Sequence, residues 1–422
     1  MPSVSVRIFI SVAEESADLH AAALVKAARA AGHDWIFHGL TGPRLRALGV
    51  ETVFDFASRA AMLGGVLGVL GHARRAIRAV EESWRTRRPD LVVLLDSPEL
   101  HLRLARKAKQ LRLPVLYYIA PQTWASREGR NRQIARDVDR LACILPFEEE
   151  YFRQHGVRAE YVGHPLFETL REERPIPDTV AFLKGRAAGR PIVALLPGSR
   201  QHVIDTMLPK QLEVVARLRA AGQRVYAAIS CVSEDRRQQI RDLLATSVTP
   251  LPRREGLGEG QLSAPPLPAR EGAGGGSEVA PASGTDIETD IIVADNASLL
   301  AAADLVLVAS GTATLHVAYY RKPMIVMYDA GRLLSLPYRW FGRRVVKTPH
   351  LSLVNILAGA RVVPEFMPFV PDLTPVAELT QQLLNDRTWP ALMIAQLDEL
   401  VRPLENSAAS ANVCRVAAGL LG

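Results

Sequence analysis

Cysteine, aromatic residues and long apolar runs are all scarce in this 422-residue chain, and each scarcity excludes something. The three cysteines, Cys143, Cys231 and Cys414, are scattered and odd in number. Neither a disulfide framework nor a zinc knuckle is expected from them, which fits a reducing cytoplasm. No stretch reaches the roughly 20 apolar residues that a transmembrane helix needs. No basic segment followed by an apolar core opens the chain, because Val4–Val12 reads as a strand, so no signal peptide is expected. What remains is ordinary for a globular protein: 48% hydrophobic and 23% charged residues, with a formal net charge of +7. A basic excess of this size suits nucleic acid, phosphorylated substrates or an anionic membrane surface, and does not choose among them. The length exceeds what one compact core holds, so two domains are expected.

Along the chain, short apolar strands alternate with helices. The strand Val4–Val12 runs into the loop Ala13–Asp18 and a helix over Leu19–Ala31. A second strand covers Trp35–Gly39. Pro89–Leu95 is the clearest buried strand of the first half, and it ends at Asp96-Ser97-Pro98-Glu99, two carboxylates just past a strand's carboxyl end. Strands over Pro114–Ala120 and Leu141–Leu145 follow. Glu172–Arg190 is charged and proline-punctuated and reads as a linker. Pro191–Leu196 begins a second sheet and breaks at Pro197-Gly198-Ser199-Arg200; a helix over Leu208–Ala220 and a strand over Val225–Cys231 come next. Residues 251–284 are dominated by Gly, Pro, Ser and Ala and read as a disordered surface insertion. The strand Leu305–Val308 then empties into Ser310-Gly311-Thr312 before a helix over Ala313–Tyr320. A buried strand, a glycine turn and a helix N-terminus form a generic anion site, because unpaired N–H groups and the helix dipole point at the turn. Beyond the strand Pro323–Tyr328 the chain turns helical from Pro375, with Thr374 as N-cap and a last helix over Ala411–Leu421.

This alternation predicts an α/β protein with two facing Rossmann-like domains. The first covers residues 1–172 and the second 190–385; helices over 386–422 are either swapped or pack back on the first domain. Met62–Leu70 with Arg74, Arg75 and Arg78 has two readings: a loop with a core helix, or an amphipathic element on a membrane surface. Two such domains make a deep cleft that suits a nucleotide-sugar transferase, an epimerase or a binding protein.

Several segments carry a family likeness. They are Glu14-Glu15-Ser16-Ala17-Asp18, Ile119-Ala-Pro-Gln-Thr-Trp124-Ala125, Ile144-Leu-Pro-Phe147-Glu148 and Val162-Gly163-His164-Pro165. Leu196-Pro-Gly198-Ser199-Arg200, Ala309–Leu315, Val346–Pro349 through Asn355–Gly359, and Val362–Phe366 continue the set in order. In these the chain resembles lipid-A-disaccharide synthase, over residues from near 5 to about 370 apart from the 251–284 insertion. The resemblance implies the GT-B glycosyltransferase architecture, an intertwined homodimer, and no metal or other cofactor. It implies transfer of 2,3-diacylglucosamine from UDP-2,3-diacylglucosamine to the lipid X-like acceptor 2,3-diacylglucosamine 1-phosphate, releasing UDP. The first domain would then face the acceptor and the second the donor, peripherally on the cytoplasmic face of the inner membrane. A nucleic-acid partner is not implied.

An inverting transfer needs a base for the acceptor hydroxyl and positive potential for the departing diphosphate. By resemblance, Ser199 and Arg200 meet the diphosphate, Ser310, Gly311 and Thr312 cradle it, and the base is Glu99, where the family normally has Asp. Asp96 is the second candidate, with loop capping as its competing role. Glu14, Ser16 and Asp18 of the first loop, and Asn355 and Glu365, are carried as substrate-binding residues. Ala13 and Ala17 stand in place of glycines, which would restrict a backbone that needs φ > 0. Val203 replaces an acid, and His316 stands where the family has Glu; an imidazole cannot supply a bidentate carboxylate to a ribose. His20 and His164 read as structural. The substitutions at 13, 17, 99, 203 and 316 favour an alternative, a diverged paralogue that binds a nucleotide or lipid. An epimerase acting on UDP-N-acetylglucosamine shares the architecture, but the Trp124 and Lys347-Thr348-Pro349 segments belong to the lipid enzyme.

Overall fold

Runs of apolar residues, rich in Leu, Val, Ile and Ala, close into two parallel sheets. The computed structural model describes residues 5–56, 66–247, 289–330 and 348–422. The first sheet holds β1 (Val6–Ser11), β2 (Trp35–Leu40), β3 (Glu51–Phe54), β4 (Leu91–Leu95), β5 (Val115–Tyr118), β6 (Arg140–Cys143) and β7 (Ala159–Tyr161). Its order is β3-β2-β1-β4-β5-β6-β7. The second holds β8 (Ile192–Leu196), β9 (Tyr226–Cys231), β10 (Thr289–Val293), β11 (Leu305–Ala309), β12 (Met324–Met327) and β13 (Glu365–Phe366), in the order β10-β9-β8-β11-β12-β13. Every residue of β4, β8 and β11 is buried. That is what a parallel sheet covered on both faces requires, and it explains why these strands read as unbroken apolar runs.

Each sheet reverses its direction of growth once, between β1 and β4 in the first and between β8 and β11 in the second. Register aligns the strand ends there: Ser11 pairs with Leu94, and Leu196 with Val308. The connections leaving two neighbouring strands therefore diverge to opposite faces and open a crevice at their carboxyl ends.

The C-terminal helix Ala409–Leu421 returns to the first sheet. Its Val413, Cys414, Val416 and Ala417 join Ile8, Ile10, Val93 and Leu95 in one core cluster. Asn412 Nδ2 donates to Val162 O at 3.0 Å, and Glu168 accepts from the Ser410 N–H at 2.9 Å. At the approach to this helix, a Cβ on Gly163 would lie 2.5 Å from Ser407 Cβ, and Gly163 also has φ +96°. Only glycine fits that crossing.

Local differences from the sequence reading have physical causes. Residues 172–190 are not a bare linker: they hold the helix Pro177–Ala187, whose Leu183 and Ala187 enter the second core. The helix predicted from Leu208 begins at Gln201 and carries Pro209 inside it. The buried stripe Ile204, Met207, Leu208 and Leu212 outweighs the one lost hydrogen bond of the proline. Thr374 is the first residue of the helix Thr374–Asn385 rather than its cap. The 251–284 insertion and residues 62–65 lie outside the described residues. Val66–Thr86 is a helix with Ala76, Val80 and Trp84 buried and Arg74, Arg75 and Arg78 exposed.

His164 is 3% exposed and caps the helix Pro165–Glu172, its Nδ1 accepting from the Leu166 N–H at 3.2 Å. That bond needs the neutral ring, and burial pushes His164 down to about 3. The unfolded chain takes up a proton near pH 6.5, while the folded chain resists until far lower pH, so stability falls as pH drops through this window. Urea unfolding at pH 7 and pH 4.5 should show wild type losing on the order of 2 kcal/mol more than His164→Asn, which keeps an N-cap acceptor but cannot titrate.

Candidate active site

The loops at the two reversal points face each other across a cleft. From the first sheet come Glu14 after β1 and the Asp96–Glu99 turn after β4; from the second come Gly198–Arg200 after β8 and Ser310–Thr312 after β11. Glu14 precedes the helix Glu15–Ala30 and Arg200 precedes the helix Gln201–Ala220, so two helix N-termini look into one space. Arg200 reaches across, and its guanidinium lies 3.1 Å from the Glu14 carboxylate. The arginine side chain is 68% exposed, so this pair contributes little stability and leaves the cation available to a stronger anion.

Gly198 sits at φ +106°, and a Cβ there would meet Val203 Cγ1 at 2.9 Å. The turn thus packs directly on Val203, which makes an apolar residue there the natural partner of the glycine. Ser199 and Thr312 are exposed and Ser310 is half-buried. Ser310 donates its N–H to Met327 O at 3.0 Å, whereas the N–H groups of Gly311 and Thr312 have no partner among the described residues. These donors border the same crevice as Arg200 and make it an anion site.

The two carboxylates after β4 differ in kind. Asp96 and Ser97 occupy the left-handed region at φ +52° and +46°, an arrangement that costs about 1–3 kcal/mol per residue. Burial raises the Asp96 carboxyl above its ordinary value; Glu14 and Glu99 add to this, while the Ser97 backbone and Arg200 oppose it. Glu99 is 65% exposed and accepts from Arg127 at 2.7 Å and Arg130 at 2.9 Å. Desolvation alone would push Glu99 up, but the Arg130 and Arg127 contacts outweigh it and hold the carboxyl below its ordinary value. Burial favours the protonated form of Asp96, whereas two arginines favour the ionised form of Glu99.

Three expected binding residues are occupied elsewhere. Asp18 is fully buried, and its carboxylate accepts from the N–H groups of Gly42, Arg44 and Leu45 at 3.1, 2.7 and 3.2 Å. It caps the helix Pro43–Ala47, and no face of it is left for a ligand. Asn355, also fully buried, donates to Val363 O and Glu365 and accepts from the Val362 and Val363 N–H groups, which uses all four of its hydrogen-bonding positions. Glu365 accepts from the Leu351 and Ser352 N–H groups as well. Asn355 and Glu365 therefore tie the start of the helix Leu353–Ala358 to the strand β13. Ser16 is exposed on the first turn of its helix. Ala13 and Ala17 are not among the residues with positive φ, so the expected backbone restriction does not arise. His316 Nε2 lies 3.3 Å from the Glu173 carboxylate. His20 is half-buried, and His164 is the cap described above.

A cavity of about 520 Å³ is lined by Trp124, Phe147, Tyr151 and Ile356, with Glu128 and His350 also at its wall. Neither Asp96 nor Arg200 lines it. Trp124 is fixed by donating from Nε1 to the buried Glu148 at 3.0 Å, and Glu148 also accepts from the Ile144 and Leu145 N–H groups. Among the described residues, no group of three or more His, Cys, Asp or Glu side chains could hold a metal ion. None of the described helices is long and apolar enough to cross a membrane.

Two facing doubly wound domains with polar residues gathered at both reversal points define the GT-B architecture. The chain superimposes on UDP-N-acetylglucosamine 2-epimerase from Methanocaldococcus jannaschii, solved with UDP-GlcNAc and UDP, at a TM-score of 0.56, with 12% identity, 99% of this chain and 100% of that one covered. MurG of Acinetobacter baumannii gives a TM-score of 0.52 at 13% identity, covering 98% and 99% of the two chains. The family model for lipid-A-disaccharide synthetase matches residues 8–252 and 279–412. The chain is 37% identical to the lipid-A-disaccharide synthase of Myxococcus xanthus over 86% of this chain and 83% of that one. It is 33% identical to that of Anaeromyxobacter dehalogenans over 100% and 99%. This chain belongs to the lipid-A-disaccharide synthase family.

Removing the Asp18 cap leaves three backbone N–H groups without their acceptor. Asp18→Ala should lower unfolding free energy by about 1–3 kcal/mol in urea titration. Unchanged stability would return Asp18 to the ligand side of the ledger.

Proposed function

We propose that the protein transfers 2,3-diacylglucosamine from UDP-2,3-diacylglucosamine to the hydroxyl of 2,3-diacylglucosamine 1-phosphate with inversion, releasing UDP. The observation that carries this reading is the facing of Asp96 and Arg200 across one cleft, a carboxyl raised by burial opposite an exposed cation that is paired with Glu14. In the proposed step the acceptor hydroxyl gives its proton to the Asp96 carboxylate, and its oxygen attacks the anomeric carbon. The bond from that carbon to the diphosphate oxygen breaks, and UDP leaves with the electron pair. Arg200 exchanges Glu14 for the diphosphate, and the Gly311 and Thr312 N–H groups share the developing charge. In this reading the positive potential comes from these groups, and no metal or other cofactor is invoked.

The compartment around Trp124 and Phe147 supports an acylated substrate, since aliphatic chains gain from leaving water for an aromatic lining. Exposed Arg74, Arg75 and Arg78 on one helix suit an anionic membrane surface and support a peripheral place on the cytoplasmic face of the inner membrane. The C-terminal helix, which docks through a separate set of contacts, is the element we propose is exchanged in a homodimer. Nucleic acid is not proposed as a partner.

Purified protein given donor and acceptor should form disaccharide and UDP. UDP binding without product would instead favour a diverged binding protein. Asp96→Asn should lower kcat by about 10²–10⁴, and Glu99→Gln by no more than about tenfold, since its arginine pair already holds it ionised. The opposite ranking would move the base to Glu99. Because Asp96 is raised, turnover should be lost as pH falls through a value above that of an ordinary aspartate. Arg200→Ala should weaken UDP binding by calorimetry by about 10–100-fold, and unchanged affinity would remove Arg200 from the diphosphate site.

A further inference from the structure

The turn that carries Asp96 is built from two consecutive left-handed residues, neither of them glycine. L-residues stay in that region only where the surroundings over-determine it. Two buried side chains converge on the carbonyl between them. Asp96 O accepts from His101 Nδ1 at 2.7 Å and from Tyr117 Oη at 2.5 Å. A carbonyl has two lone pairs and no proton, so both partners are donors and His101 is the Nδ1–H tautomer. Its Nε2 is then an acceptor, satisfied by the Ser11 hydroxyl at 2.8 Å. His101 and Tyr117 are both fully buried. Burial lowers His101 to about 4 and raises Tyr117, so the ring remains neutral and the phenol protonated around neutral pH.

The members come from every element meeting at the first reversal point: Ser11 ends β1, Asp96 follows β4, Tyr117 lies on β5, and His101 lies on the helix Pro98–Gln110. The Asp96 N–H also donates to Tyr118 O at 3.0 Å, tying the same residue to β5 a second time. The ionisable groups acting on the Asp96 carboxyl itself are Glu14, Arg200 and Glu99, all on the cleft side. The backbone side of Asp96 is clamped and its carboxyl side is left to the cleft.

We propose that His101 and Tyr117 are positioning residues for the transfer: by clamping the Asp96 carbonyl they hold the left-handed turn that aims the Asp96 carboxylate at the acceptor hydroxyl. Ser11 acts one bond further out, by holding His101 in the donating tautomer. The inference rests on Asp96 being the base.

Tyr117→Phe keeps the ring and removes one donor. It should lower kcat by about 10–100-fold, as expected when a reacting group is misplaced by about 1 Å, with KM for the UDP-sugar changed less than about twofold. The acidic limb of the kcat–pH profile should move to lower pH as the released carboxylate swings toward water. In an Asp96→Asn background, Tyr117→Phe should cost nothing further in kcat, because the residue it positions is already disabled. Wild-type kcat and pH profile in Tyr117→Phe, or full additivity of the two changes, would overturn the proposal and leave the network purely structural. Should Tyr117→Phe not fold, Ser11→Ala reads the same network from its far end. About a 3–10-fold loss of kcat there would support the clamp, and wild-type kcat would overturn it. Wild-type turnover in Asp96→Asn alone would remove the base assignment itself, an outcome separate from failure of the clamp.

Discussion

Burial of both sheet faces is the constraint on which the rest of the structure depends. A parallel sheet covered on both sides by helices has no free face, so it offers chemistry only along the edge where strands end. Here the edge opens where the strand order turns back, between β1 and β4 and between β8 and β11. The polar loops of the chain are placed at these two points: Glu14 and the Asp96 turn on one side, Gly198–Arg200 and Ser310–Thr312 on the other. The apolar strands determine, through register alone, which loops become neighbours.

Within that frame the cleft sorts like residues into unlike roles. Asp96 and Glu99 are three positions apart and chemically similar, yet burial raises one and two arginines lower the other. The same sorting separates Arg200, exposed and paired with Glu14, from Arg127 and Arg130, engaged on Glu99. Two unlike carboxylates therefore arise from environment rather than residue type. The cost is local strain at Asp96 and Ser97, which is tolerated because Ser11, His101 and Tyr117 hold the turn from behind.

Much of this was legible before the fold was known. The strands announced themselves because a doubly covered strand is apolar at every position, as in Leu91–Leu95 and Leu305–Val308. The glycine turns were legible because φ values such as +106° at Gly198 and +142° at Gly311 belong to glycine. Helix starts were less legible. Gln201–His202 has no apolar periodicity and Pro209 follows, so the first turns of that helix are recognisable only by the core they pack on. The helix Pro177–Ala187 was hidden by its charged sequence in the same way, since only Leu183 and Ala187 are buried.

By itself, the sequence determined the two α/β domains, the loops that bear function and the family to which they belong. These follow from local pattern: apolar runs, glycine turns and colinear motifs need no knowledge of what lies opposite. Tertiary structure alone decided which polar residues in those motifs are free. Asp18 and Asn355 carry the right chemistry for binding, but their hydrogen bonds go to Gly42–Leu45 and to Val362, Val363 and Glu365, partners up to 27 positions away. His101 and Tyr117 gave no sign in sequence, because a donor matters here only through the carbonyl it meets. Hydrogen-bonding capacity is finite, and where it is spent depends on contacts that sequence spacing does not encode.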